Sequence, residues 1–423
     1  MSTWSNILRR MLLAALLTAS MGATAQEVLP GATLASLLDY ARVHNPEYAA
    51  MRFEADAAGE RVQPAGALPD PTLRVELMDV TNKGQDGGPN LLPSRVGSTK
   101  YTLIQPLPFW GKRDLKRDAA SAEAEAARAA ATASWVDLAS RVKASYAEYY
   151  RATLGVKVTK EMLDLATRLA RLAQNRYASG LVPQQDALRA QLELTAMAGE
   201  LIAMETEQHH LRARINILLR RPGGSQLADP IALRPVPVLP ATPVLQQRLF
   251  DRNPLLAAQQ SKVEAAEKGS ELVQRNRYPD LALGLAPTQV RRGVAEWGVM
   301  LEMNIPLQQG SRRSQEREAQ ALVAAAQSRR DAVQTQLLSE LSLNIAALDA
   351  ARRSETLARD SLTPQSELNY QAALAAYENG KLDFAALLEA QRQIRRARLE
   401  ELKARVEAQM RLADIERLIG EDL

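Results

Sequence analysis

Two long stretches of the chain place apolar residues at helical spacing and contain almost no residue that would end a helix. The first runs from about Arg113 to Ala178 and includes Trp135 and Leu138 among its recurring apolar positions. The second runs from about Ser311 to Glu378, with Pro364 as its one clear breaker. At about 1.5 Å per residue, each run predicts close to 100 Å of helix, so a coiled coil or helical barrel is indicated.

Four short segments alternate apolar and polar side chains, which is the period of a β-strand. In the first segment Leu73 and Val75 lie on one face, and Arg74 and Glu76 lie on the other. A half-buried sheet of a soluble protein has the same period, but an apolar stripe opposite charged residues also fits a strand between lipid and water. The predicted strands cover residues 72–80, 99–107, 281–289 and 294–305.

Aromatic residues at or near the ends of these segments favour the membrane interpretation. Rings with a polar edge prefer the interface between a bilayer and water. The predicted membrane-interface anchors are Tyr101, Phe109, Trp110, Tyr278 and Trp297.

The whole pattern occurs twice along the chain. The segment RYASGLVPQQDALRAQ, which begins at Arg176, is matched 200 positions later by AYENGKLDFAALLEAQ, and the motif in HNPEYAA recurs in RNPLLAA. This is a tandem duplication, in which each repeat holds two strands followed by a helical hairpin. A proline-rich linker, which no helix can cross, joins the repeats and is predicted to mark the midpoint of a long rod. The first repeat is 26–221 with its hairpin at 113–219, the linker is 222–243, and the second repeat is 244–423 with its hairpin at 311–419.

The start of the chain and its composition indicate where the protein is located and which partners are excluded. Residues 1–25 have the basic, apolar and small-residue regions of a secretory signal peptide. The chain has no cysteine, which excludes disulfides, thiolate metal sites and a lipid-anchored amino terminus. The formal net charge is +4. Because Arg9 and Arg10 of the signal contribute two of these charges, the mature chain is too near neutral to suggest nucleic acid as a partner.

Taken together, these features resemble the TolC-like outer-membrane factors over essentially the whole mature chain. The resemblance rests on the signal, the duplicated Asn-Pro helix, the two strand pairs, the passage QPLPFWGKRD from Gln105 to Asp114, and the paired Tyr-x-x-Gly turns. It implies a mainly α protein with a membrane β-barrel, in which a homotrimer gives four strands per chain to a twelve-stranded barrel. That barrel would lie in the outer membrane of a Gram-negative bacterium and continue as a long α-helical barrel through the periplasm. Four strands alone cannot close a water-filled barrel, so oligomerisation is also expected on physical grounds.

The stretch PFWGKR resembles the heavy-metal group of that family, typified by CzcC and CusC. The resemblance implies an exit duct that exports heavy-metal cations with a periplasmic adaptor (a membrane fusion protein) and an inner-membrane resistance-nodulation-division (RND) pump. The same stretch also has a purely structural interpretation, because its prolines end a strand and Gly111 allows the turn into a helix. CusC-type members carry a lipidated cysteine, which this chain lacks, and this favours the CzcC-type branch.

Other transport functions remain open at this point. A channel for drug efflux or for type I protein secretion would have the same fold. A periplasmic adaptor is disfavoured, since adaptors have one helical hairpin and globular β domains, whereas this chain has two hairpins and two strand pairs.

The resemblance also assigns roles near the two turns. The adaptor-docking tips would be Ser179, Gly180 and Leu181 in the first repeat and Asn379, Gly380 and Lys381 in the second. The periplasmic gate would involve Glu389, Asp383, Asp186 and Tyr377. The family has acidic rings at two positions after the second turn, and here these are Ala386 and Glu389, so one ring is missing. As structural alternatives, the glycines end helices in the left-handed conformation, and the carboxylates are solvated residues at helix starts.

Catalytic and metal-binding patterns do not stand out. The only histidines are His44, His209 and His210, and the adjacent pair would project about 100° apart on a helix, so the two cannot chelate one ion. Acidic residues are spread over helix faces, where pairing with a base four positions away is the default explanation. We therefore predict no enzymatic activity, no cofactor and no metal site, and we expect the energy for transport to come from a partner.

Overall fold

The computed structural model describes residues 29–81, 89, 91–93, 95–290 and 293–423. The predicted signal peptide, residues 1–25, lies outside the described residues. Helices and strands follow the predicted order of two strands and a helical hairpin in each repeat. In chain order they are α1 (Leu34–His44), α2 (Pro46–Glu60), α3 (Val62–Gly66), β1 (Thr72–Met78), β2 (Ser98–Leu107), α4 (Lys112–Ala178), α5 (Gln184–Leu218), α6 (Thr242–Arg252), α7 (Pro254–Arg275), β3 (Leu281–Val290), β4 (Gly293–Met303), α8 (Gln309–Leu357), α9 (Thr363–Glu378) and α10 (Phe384–Ile419).

The long helix of the first repeat is continuous, whereas that of the second repeat is interrupted by a short π-helical segment. Helix α4 continues for 67 residues. In the second repeat a π-helical segment, Ala358–Leu362, separates α8 from α9. Pro364 was predicted to break the helical run, but the chain stays helical through this position. Its missing N–H removes one helical hydrogen bond, and the chain accommodates this loss with a wider turn while it remains helical. Among the described residues, no helix combines the length and the apolar character needed to cross a membrane.

The repeated Asn-Pro motif ends one helix and begins the next in both repeats. Asn45 Oδ1 accepts a hydrogen bond from the N–H of Tyr48 at 3.0 Å, and Asn253 Oδ1 accepts one from Leu256 at 2.8 Å. The proline that follows each asparagine occupies the first helical position, where its missing N–H costs nothing. The stretch from Val244 to Arg275 is therefore divided between two helices, α6 and α7.

The four strands form one antiparallel sheet in the order β1-β2-β3-β4. Its register aligns Leu73 with Leu103, Leu103 with Leu285, and Leu285 with Val299. All four side chains of this row are exposed. A row of large apolar side chains that points outwards across a whole sheet is unusual in a soluble protein and marks an interaction surface.

Strands β1 and β4 each end two residues before the predicted position. After Met78 the chain turns at Asp79, whose φ is +53°. After Met303 the N–H of Asn304 still donates to the carbonyl oxygen of Asp280 at 3.1 Å. Pro306 then offers no N–H to the ladder, which ends the strand.

The chain divides into two compact units, and each unit takes segments from both sequence repeats. The turn unit comprises the chain up to His44 together with Val142–Arg234 and Ser354–Val406. The sheet unit comprises Asn45–Arg141, Pro235–Arg353 and Glu407–Leu423. Each unit has its own apolar core. In the turn unit the core includes Leu169, Ala173, Tyr377, Phe384 and Leu387, and in the sheet unit it includes Leu245, Leu249, Leu341, Leu348 and Ile415.

The proline-rich linker contains no helix or strand from 222 to 241. Within the turn unit, the buried hydroxyl of Tyr146 lies 3.1 Å from the carbonyl oxygen of Ala32 and 3.2 Å from that of Ala232. One tyrosine on α4 therefore bonds both the start of the described chain and the linker. An extended segment with few backbone bonds of its own is held in place by a side chain from a helix.

Candidate functional site

The two predicted turns are helix ends with the same backbone geometry. Gly180 and Gly380 both have φ of +69°. The N–H after each glycine donates to a carbonyl five residues earlier in the chain, at 2.9 Å in the first turn and 2.8 Å in the second. This is the Schellman arrangement, in which glycine is favoured because other residues are strained at positive φ. All six predicted docking residues, 179–181 and 379–381, are exposed.

One arginine links the first turn to the second. Arg176 Nη1 donates to the carbonyl oxygen of Glu378 at 2.7 Å. Its guanidinium carbon also lies 5.0 Å from the ring centroid of Tyr377. Sequence reasoning missed this residue, although a signal was present: the position 200 residues later is Ala376, a difference within an otherwise similar motif.

Two of the predicted gate residues are buried. Tyr377 packs against Phe384 with ring centroids 5.3 Å apart. Asp186 lies in the first turn of α5 and is also buried. Burial raises the pKa of Asp186; Arg189 opposes this change and the charge of Asp383 adds to it. Burial and the charge of Asp186 likewise raise the pKa of Tyr377. The alternative of a solvated carboxylate is therefore wrong for Asp186.

The other two gate candidates are exposed and lie on the second returning helix. Asp383 Oδ1 accepts a hydrogen bond from the N–H of Ala386 at 2.9 Å and so caps α10. Its structural interpretation as a carboxylate at a helix start is confirmed. The carboxylate of Glu389 lies 3.6 Å from the guanidinium of Arg396, one heptad further along α10. Both of these side chains are exposed, so this ion pair leaves the glutamate accessible to water and ions.

A half-buried ion pair joins the returning helices of the two repeats. Arg392 approaches Oε2 of Glu193 with its Nε at 3.1 Å and its Nη2 at 2.5 Å. Next to it, Arg395 pairs with Glu200. The prediction that acidic residues pair within one helix is wrong for Glu193, because its partner lies 199 positions away. Only the packing of α5 against α10 brings these charges together.

The predicted aromatic anchors fall into two groups. Phe109 stacks on Tyr278 with centroids 4.6 Å apart, and Trp110 contacts Phe109 edge-on at 5.5 Å. These three residues lie where β2 enters α4 and where α7 leads into β3. Tyr101 and Trp297 lie further along the strands, towards the hairpin ends, opposite Val75 and Pro287 respectively.

Charged residues fix the backbone at the first aromatic group. Lys112 Nζ, which is buried, and the N–H of Phe109 both donate to Asp280 Oδ1 at 2.8 Å. Burial alone would raise the pKa of Asp280, but the two donors lower it below its ordinary value. In the sequence, Asp280 is marked only by its position immediately before a predicted strand. Its role in joining the strand–helix junctions of both repeats required the tertiary structure.

Among the described residues, no group of three or more His, Cys, Asp or Glu side chains could hold a metal ion. The rings of His209 and His210 are 6.5 Å apart and nearly perpendicular. His209 Nδ1 lies 2.8 Å from Arg212 Nη2. The histidine pair is therefore oriented for separate contacts.

Comparison with known proteins gives matches over both repeats. A model of the outer membrane efflux protein family matches residues 37–219 and 245–421. The cobalt-zinc-cadmium resistance protein CzcC of Cupriavidus metallidurans is 25% identical over 393 residues, which cover 92% of this chain and 90% of that protein. Two solved structures share the fold, each at 17% identity and a TM-score of 0.78. The crystal structure of CusC covers 95% of both chains, and that of VceC from Vibrio cholerae covers 92% of this chain and 96% of the other.

Proposed function

Because the chain belongs to the outer membrane efflux protein family, we propose that it is the exit duct of a tripartite system that exports heavy-metal cations. The resemblance inferred from the sequence is confirmed by the family match across both repeats. Proteins of this family are efflux channels, so the chain is not an enzyme. The observation that carries the metal assignment is the similarity to a cobalt-zinc-cadmium resistance protein over most of both chains. In this proposal an RND pump supplies the energy and a periplasmic adaptor connects the pump to the duct.

A deletion strain tests whether heavy-metal cations are the exported substrate. Loss of the gene should lower tolerance to Co²⁺, Zn²⁺ or Cd²⁺, and a plasmid copy should restore it. Susceptibility to dyes and antibiotics should stay unchanged in the same strain. Full metal tolerance combined with new drug sensitivity, or with loss of a secreted protein from the medium, would reject heavy-metal export.

The sheet supports an outer-membrane location and a closed assembly. The exposed row of Leu73, Leu103, Leu285 and Val299 fits lipid contact. Phe109 lies eight positions after Tyr101, which at about 3.3 Å per residue is roughly 26 Å along the chain. At a strand tilt of about 35–45° this length rises roughly 20 Å, which is comparable with the apolar band of about 25 Å between the aromatic girdles of outer-membrane barrels.

Oligomerisation follows from the free sheet edges and from an exposed helix face. Strands β1 and β4 each have one unpaired edge, and lipid cannot satisfy the backbone groups there. We propose that three chains close a twelve-stranded barrel, which a helical barrel continues into the periplasm.

The two repeats differ in which of their apolar residues are covered within one chain. Leu388 is 6% exposed, whereas its counterpart Leu188 is 62% exposed. Leu192 and Ile202 extend this exposed face along α5. A second copy of the chain can cover it. We expect a detergent-extracted trimer in the outer-membrane fraction, and Leu192→Glu should reduce the yield of trimer. A stable monomer in the soluble periplasmic fraction would reject the assembly.

Adaptor docking is proposed at the exposed turns, residues 179–181 and 379–381. Gly180→Val and Gly380→Val should strain the helix ends and weaken crosslinking to the adaptor, with trimer yield unchanged. The control is Gly310→Val, which alters an exposed glycine in the first turn of α8 whose φ is not positive. Unchanged crosslinking and export in both turn variants would place the adaptor elsewhere.

The gate is proposed to lie close to the same turns. Glu389 is the candidate for an acidic ring, because three exposed copies around one axis would concentrate negative charge and favour cations. Asp186 and Tyr377 are the buried gate candidates, and they lie beside the first and second turns respectively. Asp383 would act through its cap on α10, which sets where the helix beyond the turn begins.

A further inference from the structure

The side chain of Arg176 makes two contacts with the turn of the other repeat. Its Nη1 bonds the carbonyl oxygen of Glu378, and its guanidinium lies over the ring of Tyr377. Glu378 is the last residue of α9, where carbonyl groups have no partner within the helix. Arg176 therefore caps the end of a helix that belongs to the second repeat, and a cation is favoured at that end by the helix dipole.

The position of the Arg176 guanidinium costs part of its solvation by water. Arg176 is half-buried, and within the described part of the chain its Nε has no hydrogen-bond partner. A long arginine side chain normally keeps its charged group in water and covers apolar surface with its stem. Here the charged group turns towards the second turn instead. The two contacts with Glu378 and Tyr377 offset the loss of solvation at Nε.

The second repeat has no arginine at the position that matches Arg176. The residue 200 positions after Arg176 is Ala376, which has neither charge nor reach. The target ring differs in the same sense: Tyr377 is 1% exposed, whereas its counterpart Tyr177 is 44% exposed. The first turn can therefore hold the second turn of its own chain, but the second turn cannot hold a first turn in the same way.

We propose that Arg176 is a positioning residue that locks the two turns of one chain into a fixed pair. This inference rests on the proposed function, in which three chains place their six turns in one ring. Within each chain of that ring, Arg176 joins the first turn to the second.

Distance measurement between the turns tests the lock itself. Spin labels at Ser179→Cys and Lys381→Cys, in labelled chains diluted with unlabelled ones, report the separation of the two turns within one chain. Arg176→Ala should broaden the distance distribution and move it to longer distances, with Arg176→Lys intermediate because it keeps the charge and loses the planar group. Arg171→Ala, which removes an exposed arginine on the same helix, should leave the distribution unchanged. An unchanged distribution in Arg176→Ala would overturn the proposal. The spin-label result does not depend on what is transported, so failure of the lock is distinguishable from failure of the proposed function.

Discussion

The ion pair between Glu193 and Arg392 is buried on one side only, and this makes its two partners unequal. The Glu193 side chain is 5% exposed and that of Arg392 is 43% exposed. Arg392→Gln leaves a buried carboxylate without its bidentate partner, which for a fully buried charge costs about 3–5 kcal/mol. Attraction between Glu193 and Arg395 remains and offsets part of this loss, so we expect roughly 2–3 kcal/mol. Glu193→Gln releases a half-exposed guanidinium that water solvates, and its cost should be about 1 kcal/mol or less.

Thermal unfolding of the detergent-extracted protein, followed by circular dichroism, measures this asymmetry. The Tm should fall clearly in Arg392→Gln and only slightly in Glu193→Gln. The double variant should recover part of the loss, because it leaves no unpaired buried charge. The control is the exposed pair Asp164 and Arg168 on α4, where either deletion should change stability by less than about 0.5 kcal/mol. Equal losses in the two single variants, or a double variant no more stable than Arg392→Gln, would refute the reasoning.

Three further predictions concern the turns and the gate. Gly180→Ala and Gly380→Ala should each lower the stability by about 1–2 kcal/mol, because φ is positive although there is space for the added methyl group. Gly199→Ala should instead stabilise α5 by about 0.5–1 kcal/mol. A lower Tm in all three variants would contradict this prediction. The raised pKa of Asp186 means that its protonated form is favoured by folding, so its contribution is largest at low pH and is lost as the pH rises through the folded pKa. Asp186→Asn should therefore raise the Tm at neutral pH more than at acidic pH, and an equal change at both would argue against the buried charge. Glu389→Gln should lower cation selectivity and weaken block by multivalent cations in planar bilayers with little change in trimer stability, and recordings identical to the parent would exclude Glu389 from the constriction.

Much of the fold follows from local features of the sequence. The two periods of apolar residues give the helices and strands because side chains repeat every 3.6 positions in one and every two in the other. The turns follow from Gly180 and Gly380, since only glycine adopts positive φ without strain. The Asn-Pro motif marks helix starts for an equally local reason, the capping bond of Asn45 or Asn253. These features depend on neighbours within a few residues, so the sequence alone contains them.

The candidate site was determined only in part by such local features. The turns and their exposed residues could be predicted, but the partners of Arg176 and Glu193 lie about 200 positions away and are selected by the packing of one repeat against the other. The π-helical turn before Pro364 was not predicted, because a proline can either break a helix or be absorbed by it, and the surrounding packing decides which.

The burial of side chains shows most clearly what the sequence alone does not determine. Leu188 and Leu388 occupy the same position in matching motifs, yet one is exposed and the other is buried. Asp186 has the sequence position of an ordinary carboxylate at a helix start, yet it is buried, and its charge raises the pKa of Tyr377 in the second repeat. A sequence specifies which face of a helix is apolar, but the neighbouring helix that covers that face, and the charges it brings, exist only in the tertiary structure.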